Sequence, residues 1–172
     1  MTSPEEFDLP KEPDREDENH EQGAEERNLE EREVEVRGVY EPSDQAPVPS
    51  NPFVLLRDAR SRCVLIWVGR FEAISISMAL EGQSADRPLT HDLLKNLIER
   101  LGGVMDRVVI DDLWGDTFYA KIWLNVNGKP LPVDSRPSDA IALALRAKAP
   151  VFMTEAVLED AGRPCDEIEG AE

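Results

Sequence analysis

The sequence is short of the residues from which most catalytic and metal-binding devices are built. Among 172 residues it has two cysteines and two histidines, 6% aromatic residues, and 19 basic side chains against 36 acidic ones. Cys63 sits in an apolar segment and Cys165 near the C-terminal end, with no Cys-x-x-Cys pair. That usage argues against a disulfide framework and a thiolate zinc site, and predicts a reducing, cytoplasmic setting. His20 belongs to an acidic leading segment, which leaves His91 for the rest. One histidine cannot build a two-histidine zinc site or an HExxH helix. A Ser-His-Asp triad would have to pass through His91, and no strand–GxSxG–helix elbow supplies its serine. GxxxxGK[ST] and GxGxxG are missing too, which removes the usual nucleotide phosphate cradles and leaves no organic cofactor to expect. No apolar run approaches the roughly 18 residues needed to cross a bilayer, and the start lacks the basic region and apolar core of a secretory signal. The expectation is a soluble protein that uses no membrane.

What is present divides unevenly. Residues 1–33 carry 14 acidic and 4 basic side chains, a net of −10, which leaves −7 of the total −17 for the remainder. With few apolar residues and no helical or strand period, residues 1–33 cannot bury enough surface to offset chain entropy and are expected to be a disordered acidic tail. Residues 34–162 read as one domain, and 163–172 as a flexible acidic C-terminus.

Inside the domain, VEVRGVY, FVLLRDA and CVLIWVG read as strands, with a proline-rich loop over residues 42–52. FEAISISMALEG predicts a helix with Phe71, Ile74 and Met78 on one face and Gly82 as its stop. THDLLKNLIERLGG predicts a helix capped by Thr90, with Asp92 in its positive first turn. Its apolar stripe of Leu93, Leu94, Leu97, Ile98 and Leu101 is expected to pack on a core, and Gly102 and Gly103 to end it. VMDRVVIDDL and TFYAKIWLNV follow as strands, then Asn127 and Gly128 as a hairpin turn into KPLPVDS. RPSDAIALALRAK predicts a further helix, PVFM a short strand and TEAVLEDAG a last helix.

Three strands and two helices thus occur twice, and residues match across the repeat. Glu72-Ala73-Ile74 corresponds to Asp139-Ala140-Ile141, and Val34, Arg37 and Val39 correspond to Val104, Arg107 and Val109. The expected fold is α+β, a duplicated β-β-β-α-α unit forming one curved, barrel-like sheet with helices packed outside.

The chemistry on offer is a set of carboxylates at element starts. Glu72, Asp134 and Asp139 are candidate ligands for a hard cation such as Mg²⁺ or Mn²⁺, which activates water in phosphodiester cleavage. His91 and Asp92 are candidates for proton transfer beside Asp139, and Arg136, with Ser138 next to it, for clamping a phosphate. The same acidic residues would stabilise helix N-termini with no catalytic role. Tyr119, Lys121 and Trp123 share one strand face and form a second candidate, interleaving aromatics with a cation as nucleic-acid binders do. A covering helix or a second subunit would account for that face equally well. A basic approach would have to come from Arg57, Arg60, Arg62, Arg70 and Lys121.

RPLTHDLLKNLIERLGG, VVIDDLWGDTFYAKIWL and VDSRPSDAIALALRAKAPVF, in this order, resemble the bifunctional nuclease domain family over about Val34 to Gly162. The resemblance implies a compact, oligomeric α+β protein acting on DNA and RNA. By motif it points to Glu72, His91, Asp92, Asp134, Arg136, Ser138 and Asp139. A non-catalytic oligomeric binding or regulatory module of the same fold is the competing expectation.

Overall fold

A computed structural model describes residues 27–41 and 51–169. The expected acidic tail lies outside the described residues up to position 26; its last residues, from Glu31, belong to strand β1. Strand β1 runs over Glu31–Tyr40, β2 over Phe53–Asp58 and β3 over Arg62–Trp67, followed by helices α1, Arg70–Leu80, and α2, Thr90–Arg100. The second half comprises β4, Gly103–Trp114, β5, Thr117–Val126, β6, Lys129–Ser135, and helix α3, Pro137–Ala147. Strand β7, Val151–Thr154, then precedes helix α4, Glu155–Ala161. The C-terminal stretch expected to be flexible folds as β8, Arg163–Pro164, and helix α5, Cys165–Glu169.

Turn chemistry sets the hairpins. Asn127 and Gly128 take φ of 53° and 80°, as a type I′ turn requires, and Gly115 and Asp116 do the same with 52° and 64° between β4 and β5. Gly82 (φ 66°) ends α1 by donating its N–H to the Ala79 carbonyl, while Gln83 donates to Met78.

All strands join one mixed sheet in the order β6-β5-β4-β7-β1-β2-β3-β8, curved but unclosed, with β6 and β8 at its edges. Strand β7 pairs parallel with β4 and antiparallel with β1, so two three-stranded meanders flank it in mirrored order. One core joins alternate strand residues such as Val54, Ile110 and Ile122 to Ile76 of α1, Ile141 and Leu143 of α3, and Leu158 of α4. The opposite sheet face carries a smaller cluster of Leu55, Cys63 and Cys165 with Leu65 and Ile168.

Two sequence expectations change here. Cys63 and Cys165 are bonded to each other, with Cα atoms 5.0 Å apart across 102 positions, so the expected pair of free thiols is not seen. The two positions meet only because β8 pairs with β3. The apolar faces of α1 and α2 also turn the other way. Phe71 is 86% exposed and Leu101 80%, with Ile74, Leu93, Leu94 and Leu97 half-exposed beside them. Of the α2 stripe only Ile98 packs against the core. In α1 the core takes Ala73 and Ile76, in one cluster with Ala140 and Ala144 of α3, on which α1 packs. Small residues let the helices approach, and that leaves the bulky face outside.

Candidate functional site

Helices α1, α2 and α3 each place a carboxylate in the first turn, Glu72, Asp92 and Asp139, at the third helical position. The orphan N–H groups and the positive end of the helix dipole favour an anion there. Asp92 fills that role directly, since its Oδ2 accepts the Leu89 N–H at 3.0 Å. Leu89, not Thr90, is the residue preceding the helix.

Glu72 and Asp139 meet around one guanidinium. Arg136 donates from Nε to Asp139 Oδ2 at 2.8 Å, and from Nη2 to Asp139 Oδ1 at 3.2 Å and Glu72 Oε1 at 3.0 Å. Its Nη1 has no acceptor among the described residues, and the side chain is 66% exposed. One edge of the fork therefore stays open to an incoming anion.

His91 connects this cluster to α1. Its Nε2 lies 3.2 Å from Asp139 Oδ1, and its Nδ1 lies 2.9 Å from Ser75 Oγ. Burial pushes the Asp139 carboxyl up, but hydrogen bonds from Arg136 and His91 outweigh it and hold the group below the usual carboxylate range. An ionised carboxylate only accepts, so Nε2 carries a proton toward Asp139, and Nδ1 pairs with the Ser75 hydroxyl on the other side of the ring. Ser75, His91 and Asp139 thus form a hydrogen-bonded Ser-His-Asp series, against the expectation drawn from the missing GxSxG elbow. Ser75 is only 8% exposed, which makes it a buried support for the ring and not an accessible nucleophile. No sequence motif marks this serine; only the packing of α1 and α2 side by side on α3 brings it to the imidazole.

Arg146, nearly buried, locks the three helices together. It donates to Asp92 Oδ1 at 2.6 Å and to the carbonyls of Ser75 and Ala142 at 3.1 and 2.9 Å. Burial raises the Asp92 carboxyl, but the Arg146 and Leu89 hydrogen bonds hold it low overall.

The remaining candidates lie apart. Ser138 is buried, so it offers little to a substrate. Tyr119, Lys121 and Trp123 face away from the core, and Asp134 stands opposite Lys121 in the β5–β6 register. Tyr119, Lys121 and Asp134 line a polar cleft of about 400 Å³ with Arg27, Asp112 and Trp114. Lys121 is paired with Asp111 at 2.6 Å, and Arg107 stacks 4.7 Å from the Trp123 ring centre. No helix is needed to occupy that face. Asp134 therefore does not join Glu72 and Asp139, both of which Arg136 already binds. As arranged, this donor set does not fit a bound cation, and among the described residues no group of three His, Cys, Asp or Glu side chains does.

Four of the five residues expected to give a basic approach are already engaged by partners, Lys121 among them. Arg60 and Arg62 both bind Glu155, and Arg57 hydrogen-bonds Ser61; Arg70 alone of the five lacks a partner among the described residues. No described helix is long and apolar enough to cross a membrane.

The profile of the bifunctional nuclease domain matches residues 54–166. An uncharacterized protein of Mycobacterium tuberculosis is 45% identical over 116 residues, 66% of this chain and 69% of the relative. Bifunctional nuclease 1 of Oryza sativa subsp. indica is 27% identical over 118 residues, which take in 36% of that longer protein. Bifunctional nuclease 2 of Oryza sativa subsp. japonica is 26% identical over 124 residues, 38% of its length. With the profile running from β2 through α5 and spanning every residue of the Arg136 cluster, the chain belongs to the bifunctional nuclease domain family.

Proposed function

We propose that the protein is a nuclease hydrolysing phosphodiester bonds of DNA and RNA where α1, α2 and α3 meet. The observation that carries the reading is the half-open Arg136 guanidinium beside a histidine–aspartate pair. Arg136 takes a phosphate oxygen through its free edge. Asp139, held ionised by Arg136 and braced by His91, takes the proton of the attacking water, and the leaving oxygen takes one from solvent. Asp92 acts as a positioning residue, holding the start of α2 on which His91 stands. A divalent cation would have to draw Glu72 and Asp139 away from Arg136, so no step is routed through one. The assay therefore includes Mg²⁺, Mn²⁺ and chelator as separate arms. Protein from a nuclease-deficient host should degrade labelled single-stranded DNA and RNA. Asp139→Asn, with an unchanged melt, should lose at least about 100-fold in rate. Equal cleavage by the variant would remove Asp139 from the site.

The competing reading, a non-catalytic oligomeric module, is favoured by one observation: every carboxylate at the junction is already paired. Cleavage by neither form would select it. Both readings share a homo-oligomer. The exposed Leu93, Leu94, Leu97 and Leu101 give α2 an apolar outer face, and a second copy covers it. Leu97→Asp is expected to convert an oligomer to a monomer by light scattering, with little change in the melt of the single chain. A wild-type monomer at 100 µM (~2 mg/ml, a concentration at which about micromolar dimers form) would count against it. The two halves are read as one duplicated unit, supported by their mirrored order about β7 and by Glu72 and Asp139 at the same helical position.

A further inference from the structure

The first meander carries a feature that the Arg136 cluster does not use. Tyr40 ends β1, Phe53 begins β2 and Trp67 ends β3, and the strand registers place Tyr40 opposite Phe53 and Phe53 opposite Trp67. The three rings form a row. Tyr40 and Phe53 are stacked with centres 5.7 Å apart, and Phe53 meets Trp67 edge-on at 5.2 Å. Phe53 is partly covered, whereas Tyr40 is 45% and Trp67 58% exposed. Strands two apart lie about 10 Å from each other, so Tyr40 and Trp67 flank Phe53 on one sheet face, each with about half of its surface exposed.

The residues after Trp67 give the row a direction. Val68 is buried and Gly69 starts α1; Arg70 and Phe71 are exposed, and Glu72 holds Arg136. The rings lie on the sheet face opposite the helices, but Trp67, Arg70, which has no partner among the described residues, and Glu72, which holds the open guanidinium, follow one another within six residues where β3 passes into α1. Every nucleobase has a π-face, and stacking on aromatic side chains is how single strands are held without sequence preference. A duplex keeps its bases stacked on each other and offers these rings nothing. The scarcity of unpaired arginine also fits an occupant held by stacking more than by charge.

We infer that Tyr40, Phe53 and Trp67 are a base-stacking platform that feeds single-stranded nucleic acid past Arg70 to the Arg136 cluster. The inference rests on the nuclease reading only for its destination; binding is tested separately from cleavage.

The probe is a labelled mixed-sequence strand of 12 nucleotides with a cleavage-resistant phosphorothioate backbone. Its abasic counterpart and a hairpin duplex serve as comparisons, and full-length protein is followed by anisotropy. Wild type should bind the base-bearing strand at least about tenfold tighter than the abasic strand or the duplex. Trp67→Ala should lose about 5- to 150-fold on the base-bearing strand and nothing on the abasic one. Trp67→Phe, which keeps a π-face, should retain affinity within a few-fold, and it answers the objection that the alanine variant misfolds. Two phosphate contacts, at Arg70 and Arg136, give a slope of log K against log salt near about −1.4. Equal affinity for base-bearing and abasic strands would overturn the inference, as would a slope several times steeper. Cleavage is read in parallel on an ordinary backbone. If Trp67→Ala cleaves with an unchanged KM while Asp139→Asn is inactive, the platform is wrong and the nuclease stands. Base-dependent binding without cleavage by wild type would uphold the platform and remove the nuclease.

Discussion

Replacing Cys63 and Cys165 together by alanine is expected to destabilise the fold by about 2–5 kcal/mol. A bridge across 102 positions removes much of the freedom of the unfolded chain, and the chain-entropy limit for such a loop is about 4.7 kcal/mol. Local structure argues for an effect in the upper half of that range. Strand β8 has two residues and α5 five, and their covalent anchor is Cys165. Around the bridge, Leu55, Leu65 and Ile168 form a core of their own on the sheet face away from the main one. Breaking the bond therefore loosens both the chain and the cover over Leu55. Guanidinium melts with and without dithiothreitol measure this, and hydrogen exchange should quicken at residues 163–169 before the melt. An identical midpoint in oxidised and reduced protein would mean that the bridge does not form in solution.

The second large effect is expected at Glu155, a residue that no sequence motif singles out. This carboxylate is almost fully buried at the start of α4, between three arginines. Arg62 binds both its oxygens, at 2.8 and 3.2 Å, while Arg32 approaches to 2.9 Å and Arg60 to 3.3 Å. Asp58 braces Arg62 at 2.8 Å and accepts the backbone N–H groups of Arg60 and Arg62. The hydrogen bonds from Arg62 outweigh burial, and with those from Arg32 they lower the Glu155 pKa from 4.5 to about 2. Its folded-state pKa lies below the unfolded one, so its stabilisation is complete above pH 4.5 and is lost as pH falls toward 2. Glu155→Gln keeps the shape but leaves the arginines without their common anion, at a cost of about 2–4 kcal/mol near neutrality. The gap between wild type and variant in thermal melts should narrow steadily between about pH 5 and pH 2. A gap that stays constant over that range would show that the Glu155 charge contributes nothing.

The parts of this fold legible in the sequence are those that backbone geometry dictates locally. Asn127 and Gly128, Gly82, and the alternation along β5 left little freedom, and each stands where it was expected. What required pairing across distance stayed hidden. PVFM reads as a short strand, but nothing in four residues says that it lies between the two meanders. The two cysteines look isolated because only the β3–β8 pairing brings them together. The leucine stripe of α2 was clear as a stripe, while its direction depended on whether α3 offered it a surface. At the site, Glu72, His91, Arg136 and Asp139 stand at helix starts, where their charge and spacing made them visible. Ser75 and Arg146, which hold His91 and Asp92 in place, sit in apolar helical runs with nothing local to distinguish them. The aromatic row was also hidden, though a signal existed: three consecutive strands of one meander each begin or end on a large ring.

The position of β7 has a consequence for how the chain reaches this state. Strand β1 is made early, yet one of its two neighbours is a segment about 120 positions downstream, with Glu31 opposite Thr154 and Val34 opposite Val151. Until that segment arrives, β1 presents an unpaired edge, and the two meanders have no backbone ladder joining them. Local hairpins can close within microseconds, whereas a contact of such sequence separation must wait for the closure of a long loop. During synthesis the first meander is therefore a half-sheet whose exposed edge invites pairing with another chain, and the arrival of β7 turns two hairpin assemblies into one protein.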